Sequence, residues 1–93
     1  MYSATDFKKA LAMKPEDINF PLYRKYKNNK SYFKILDNRH LLELQMVGSK
    51  VMMHEIKAIS FPEINFIHDM IFNYQAMADE IDATIFESMY QKI

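Results

Sequence analysis

The stretch from Leu22 to Leu36, LYRKYKNNKSYFKIL, is two short runs of aromatic, apolar and basic residues on either side of Asn28-Asn29. Asn tolerates the positive φ angles of a two-residue type I′ turn, so the pattern predicts a tight hairpin with strands over 22–27 and 30–36. Residues opposite one another then share a face. Leu22 with Ile35, Arg24 with Phe33 and Tyr26 with Ser31 form one mainly apolar side. Tyr23 with Lys34, Lys25 with Tyr32 and Lys27 with Lys30 form the other.

The second side makes Tyr23, Lys25, Lys27, Lys30, Tyr32 and Lys34 a candidate polyanion-binding face. Aromatic rings on which bases stack are worth about 1–3 kcal/mol each, and cations neutralise phosphates, which is the chemistry of a single-stranded nucleic-acid platform. The plain alternative is a solvated strand face, since edge lysines also keep sheets from pairing with one another. Charge adds a third reading. Residues 22–39 carry Arg24, Lys25, Lys27, Lys30, Lys34 and Arg39 against Asp37 alone, a net +5. Residues 61–93 carry Glu63, Asp69, Asp79, Glu80, Asp82 and Glu87 against Lys92, a net −5, within a chain of formal net charge zero. Two such segments attract one another within a fold or across a dimer as readily as either attracts a ligand, so an acidic C-terminal helix is a rival cover for the basic face.

Outward from the first hairpin, Gly48-Ser49 fits a type II′ turn between strands over 41–47 and 50–58. Leu42, Leu44, Met46, Val51 and Met53 fall on one face of this second hairpin, expected to continue the face of Phe33 and Ile35. Glu43 falls opposite His54 on the other face. With Asp37-Asn38-Arg39-His40 joining the hairpins, the simplest topology is a four-stranded antiparallel meander over 22–58. Before it, Ser3 caps a predicted short helix over 4–13, with Phe7 and Leu11 on one face, stopped by Pro15. Ile18 and Phe20 are expected to pin the connector to the core.

After the meander, Ser60 with Glu63 has capping-box spacing and Pro62 suits a first turn, so a long C-terminal helix over 61–92 is predicted. Ile64, Ile67, Met70, Ile71, Tyr74, Met77, Ala78, Ile81, Ile85 and Met89 make a broad apolar stripe along it, expected to cover the apolar face of the sheet. The fold class is therefore α+β, both helices packed on one face. A helix of about 45 Å overruns strands of about 17–20 Å, and a second apolar row of Phe72, Phe86, Tyr90 and Ile93 is left over. That row is the candidate partner interface, and contact between two such helices would make a homodimer. A break near Ala78 to Asp82 would instead fold the two halves into a hairpin and bury the row within one chain.

The composition, 49% hydrophobic and 26% charged with one Gly, is that of a folded globular chain, and 93 residues suit a single domain over 1–93. The absence of Cys excludes disulfides and thiolate metal sites and suits a reducing, cytoplasmic setting. No run of apolar residues is long enough for a membrane span, and the first residues lack a secretion-signal pattern. His40, His54 and His68 share neither helical i, i+4 nor strand HxH spacing, and Glu43 beside His54 reads as a surface ion pair. No catalytic, cofactor or metal site is expected. The leading expectation is a small non-catalytic interaction module, homodimeric through its C-terminal helix, with single-stranded nucleic-acid binding on the Lys/Tyr face as the alternative.

Overall fold

The computed structural model describes residues 18–93, so the helix expected over 4–13 lies outside the described residues. Five strands and two helices follow: β1 Leu22–Tyr26, β2 Ser31–Asp37, β3 His40–Val47, β4 Lys50–Lys57, α1 Phe61–Phe72, β5 Ala78–Glu80 and α2 Ala83–Tyr90. All pair antiparallel in one sheet of order β4-β3-β2-β1-β5. The α+β antiparallel class stands; the four-stranded meander gains a fifth strand, and the long C-terminal helix does not exist as one piece.

Within each hairpin the expected alternation holds. In the first, Leu22 pairs with Ile35, Tyr23 with Lys34, Arg24 with Phe33 and Lys25 with Tyr32. Its turn differs from type I′, because only Asn29 is left-handed, at φ 60°. The loop over 27–30 is closed instead by the Asn29 N–H on the Tyr26 carbonyl at 2.9 Å and the Lys30 N–H on Asn28 Oδ1 at 2.8 Å. In the second hairpin Gly48 takes φ 63°, as a type II′ turn requires at its first central position.

Between the hairpins the expectation fails by one residue. Asp37 pairs with His40 around the Asn38-Arg39 turn, yet Ile35 pairs with Leu41 and Lys34 with Leu42, so β2 holds one surplus residue, Leu36, in a bulge. Unbulged pairing would set Leu42 opposite Ile35. The shift sends Leu42, Leu44, Met46, Val51 and Met53 to the face of Tyr23, Tyr32 and Lys34, not to that of Phe33 and Ile35. The sheet therefore has two apolar faces and needs two covers.

The first face carries Phe33, Ile35 and Leu41, closed over by Ile67, Met70 and Ile71 of α1, with Ile18 and Phe20 packed at its margin as the connector reading anticipated. α1 starts as predicted: the Glu63 carboxylate accepts hydrogen bonds from the Ser60 N–H at 3.2 Å and hydroxyl at 2.9 Å, with Pro62 in the first turn. These bonds hold the Glu63 carboxyl below its ordinary pKa. The second face carries Leu44 and Val51, closed over by Phe86 and Met89 of α2.

α1 ends at Phe72 because β1 has an open edge. The chain turns through Tyr74, whose carbonyl accepts from the N–H groups of Met77 and Ala78 at 2.9 and 2.8 Å. β5 then pairs with β1, Arg24 against Glu80, Lys25 against Asp79 and Tyr26 against Ala78. Neither Gly nor Pro stands in 73–82; pairing an unpaired row of backbone groups and crossing to the second face outweigh helical continuation. A uniform apolar stripe is thereby divided, Ile67 and Met70 going to one face and Met89 to the other.

Candidate functional site

The Lys/Tyr face is occupied by its own chain. The Tyr23 ring lies 5.7 Å from that of Phe86, and Tyr32 is half-buried in the same cluster. Both rings are thus engaged where a stacking platform would need them open. Lys34 Nζ sits 3.8 Å from Glu87 Oε1 and 5.9 Å from the centre of the Tyr23 ring. With Leu42, Phe86 and Tyr90 these two charges line a shallow recess beside α2.

The other cations lie toward the turns. Lys27 Nζ donates to Asp79 Oδ1 at 2.7 Å, and this contact holds the Asp79 carboxyl below its ordinary pKa. Lys25 Nζ donates to Asn29 Oδ1, and Lys30 is exposed. The Met46 N–H on the Lys30 carbonyl, at 2.8 Å, joins the turns of the two hairpins at one end of the sheet. Lys25, Lys27, Lys30 and Lys50 belong to that end, spread across the sheet from β1 to β4. The acidic segment thus meets the basic one inside the molecule, through Asp79 on Lys27 and Glu87 on Lys34.

The four residues read as a partner interface are not brought together. Phe72 ends α1 on the first face, half-buried, its ring 4.8 Å from that of His68. Phe86 is 1% exposed beneath α2 on the second face. Tyr90 stacks on Phe86 at 6.5 Å and remains 44% exposed, and Ile93 is 62% exposed. Burial of Phe86 follows from a break in the helix, but the break comes after Phe72 and the two halves cover opposite faces of the sheet, so they do not form the hairpin that a break near Ala78 to Asp82 would make.

The histidines also separate. Glu43 and His54 are opposite in register, but Glu43 Oε2 accepts from Ser31 Oγ at 2.7 Å while His54 Nε2 meets Gln45 Oε1 at 2.9 Å. His40 Nε2 lies 2.8 Å from Glu55 Oε2, and His68 is exposed on α1. Among the described residues no group of three or more His, Cys, Asp or Glu is disposed to hold a metal ion, and no helix is long and apolar enough to cross a membrane.

Two features escape a reading of sequence alone. The first is Arg24, 5% exposed, whose Nε donates to the Met70 carbonyl at 3.0 Å and whose Nη1 donates to the Tyr23 carbonyl at 2.9 Å. Its guanidinium stands 4.0 Å from the centre of the Tyr74 ring, and the Tyr74 hydroxyl donates to Glu80. Desolvation lowers the Arg24 pKa, opposed by Tyr74 and Glu80. The side chain ties β1, α1 and β5 together where α1 ends, so it is a structural peg. Its only signal in the sequence is its place on the apolar side of the first hairpin.

The second feature is β4. It is an eight-residue edge strand, with Met52 47% and Met53 46% exposed on opposite faces and Val47 46% exposed at the adjoining turn. The turn between Val47 and Lys50 sets the hydrogen-bond alternation of the β3–β4 ladder. Even-numbered residues of β4 bond to β3, and Val51, Met53, Glu55 and Lys57 direct their main-chain groups outward. The opposite edge, β5, is three residues long and reads Ala-Asp-Glu.

Comparison with family models, curated proteins and solved structures finds no match to this chain. Function therefore rests on surface chemistry.

Proposed function

We propose that the protein is a small non-catalytic interaction module that assembles with itself. The observation that carries this is apolar exposure at two surfaces that a lone chain gains nothing by exposing, beside the exposed Ile59 and Phe61 at the start of α1 and Met77 before β5. One is the β4 edge, with Val47, Met52 and Met53; the other is the outer side of α2 and the residues after it, with Ile85, Tyr90 and Ile93. Met and aromatic residues on such surfaces are enriched in protein interfaces. The test is sedimentation equilibrium of the full chain over a wide concentration range, with an assembled mass above that of one chain as the expected result. A monomer throughout would end this reading.

A second reading, polyanion binding, is favoured by one observation: Lys25, Lys30 and Lys50 belong to the turn end of the sheet, spread from β1 to β4, where Asp79 engages Lys27. In this form phosphates are held by the lysines without base stacking, because Tyr23 and Tyr32 are committed to the second core. Fluorescence anisotropy of a labelled single-stranded oligonucleotide, at low and near-physiological salt, tests it beside a K25E/K30E variant. Salt-sensitive binding lost in the variant supports it; no binding at low salt removes it.

A further inference from the structure

We infer that the partner at β4 is a second copy of this chain, paired antiparallel across a twofold axis at Met53 to join two sheets into one of ten strands. This rests on the self-association proposed above and names its surface.

Edge strands are ordinarily guarded by shortness, Pro, bulges or a central Lys. β5 is guarded by its three-residue length and by Asp79 and Glu80. β4 has eight residues, pairs with β3 without a bulge from His40–Lys57 to Val47–Lys50, and holds its lysines at the two ends, Lys50 and Lys57. Its centre, Val51-Met52-Met53-His54, has no Lys, Arg, Asp or Glu. Among the described residues, no strand pairs with its outer side.

Symmetry and charge select the register. A twofold axis normal to a sheet keeps each side chain on its own face, so a residue can oppose only residues of like parity in the partner strand. An axis at Met52 would set Lys50 opposite His54. An axis at His54 would set the imidazole opposite its own copy and Val51 opposite Lys57. An axis at Met53 sets Val51 opposite Glu55, Met52 opposite His54 and Lys50 opposite Ile56, with no two basic residues directly opposed. The outward main-chain groups of Val51, Met53 and Glu55 then meet those of Glu55, Met53 and Val51 across the axis. Met53 packs on its own copy on the second face while Met52 is covered on the first, so one contact removes both exposed methionines from water.

The experiment is sedimentation equilibrium on wild type, M53K and I93K, with oxidative cross-linking of M53C. Met53 is half exposed and its N–H faces outward, so M53K leaves the ladder to β3 intact, which thermal unfolding verifies. Two ammonium groups at the axis should raise the dimer dissociation constant at least about tenfold, and I93K tests the rival contact on α2. The chain has no Cys of its own, so M53C reports this contact alone. Paired Cα atoms at the axis stand about 5.5 Å apart, within disulfide range, and a covalent dimer is expected even if M53K folds poorly.

An assembly that M53K leaves intact and I93K dissolves would overturn the inference while sparing self-association, placing the contact on α2. A wild-type monomer would overturn both. In that monomer, slow hydrogen exchange at Val51, Met53 and Glu55 would assign the edge to this chain's residues 1–17, and fast exchange would leave it unpaired.

Discussion

The first face of the sheet is covered by a twelve-residue helix with a capping box and a Pro in its first turn, the second by an eight-residue helix whose Asp82 N-cap makes no side-chain cap bond. A helix as short as α2 is unstable in water by itself, so its structure depends on the burial of Phe86 and Met89. α1 has local signals and packing acting together. The difference teaches that one face is specified locally and the other by long-range geometry: the bulge at Leu36 supplies its apolar floor, and the crossing through β5 supplies its roof.

Leu44→Asp breaks that comparison most directly. Leu44 is fully buried in the floor beneath Phe86 and Met89, and an ionised carboxylate there would be desolvated and would strip those two side chains of their apolar support. The loss should exceed about 5 kcal/mol, the lower end of whole-domain stability, so thermal scans by circular dichroism should lose their cooperative transition. A cooperative transition at the wild-type temperature would mean that the second face is dispensable to the fold.

Truncation of one aromatic on each face sharpens the contrast. F33A should cost about 3–5 kcal/mol in urea unfolding, because Phe33 is fully buried in the larger cluster and contacts the rings of Tyr26 and Phe66. F86A should fall at the lower end of that range, since its cluster is smaller, and should also raise hydrogen exchange across α2. Equal costs with exchange unchanged in α2 would show that the two faces fold as one unit.

The smallest effect concerns β5, through which the chain passes from α1 to α2. Lys27 depresses the Asp79 pKa in the folded chain, so this contact stabilises above the unfolded-state pKa and is lost as pH falls through the lowered folded value. D79N should slightly flatten the acid side of a plot of Tm against pH and leave the remainder parallel to wild type. An unchanged acid limb would mean that the Asp79–Lys27 contact adds nothing to stability. The pair is solvent-exposed, which keeps the effect small.

Both candidate surfaces contain residues that the pattern singled out, yet their accessibility was not legible. Lys25, Lys27 and Lys30 stand near the turn as the hairpin required. Tyr23, Tyr32 and Lys34 share their face too, but α2 lies against it, and no property of those residues reveals that. Tyr90 and Ile93 stay exposed while Phe86 does not, because the apolar stripe assumes one cylinder and the chain makes two. Strand alternation puts Arg24 on the side of Phe33, but its burial depends on a carbonyl of Met70 that becomes its acceptor only after α1 has docked.

By itself the sequence determined both hairpins, the alternation within each, the Ser60–Glu63 start of α1 and the anchoring of Ile18 and Phe20. All of these follow from neighbours a few residues apart: turn residues that accept positive φ, a strand period of two, a cap three residues from its carboxylate. Only the tertiary structure decided how the hairpins face one another, where the C-terminal helix breaks and which surface remains open. Each of those turns on competition between distant segments for the same buried area and backbone partners. The bulge at Leu36 and the unpaired edge of β1 resolve that competition, and neither can be read from the residues beside it.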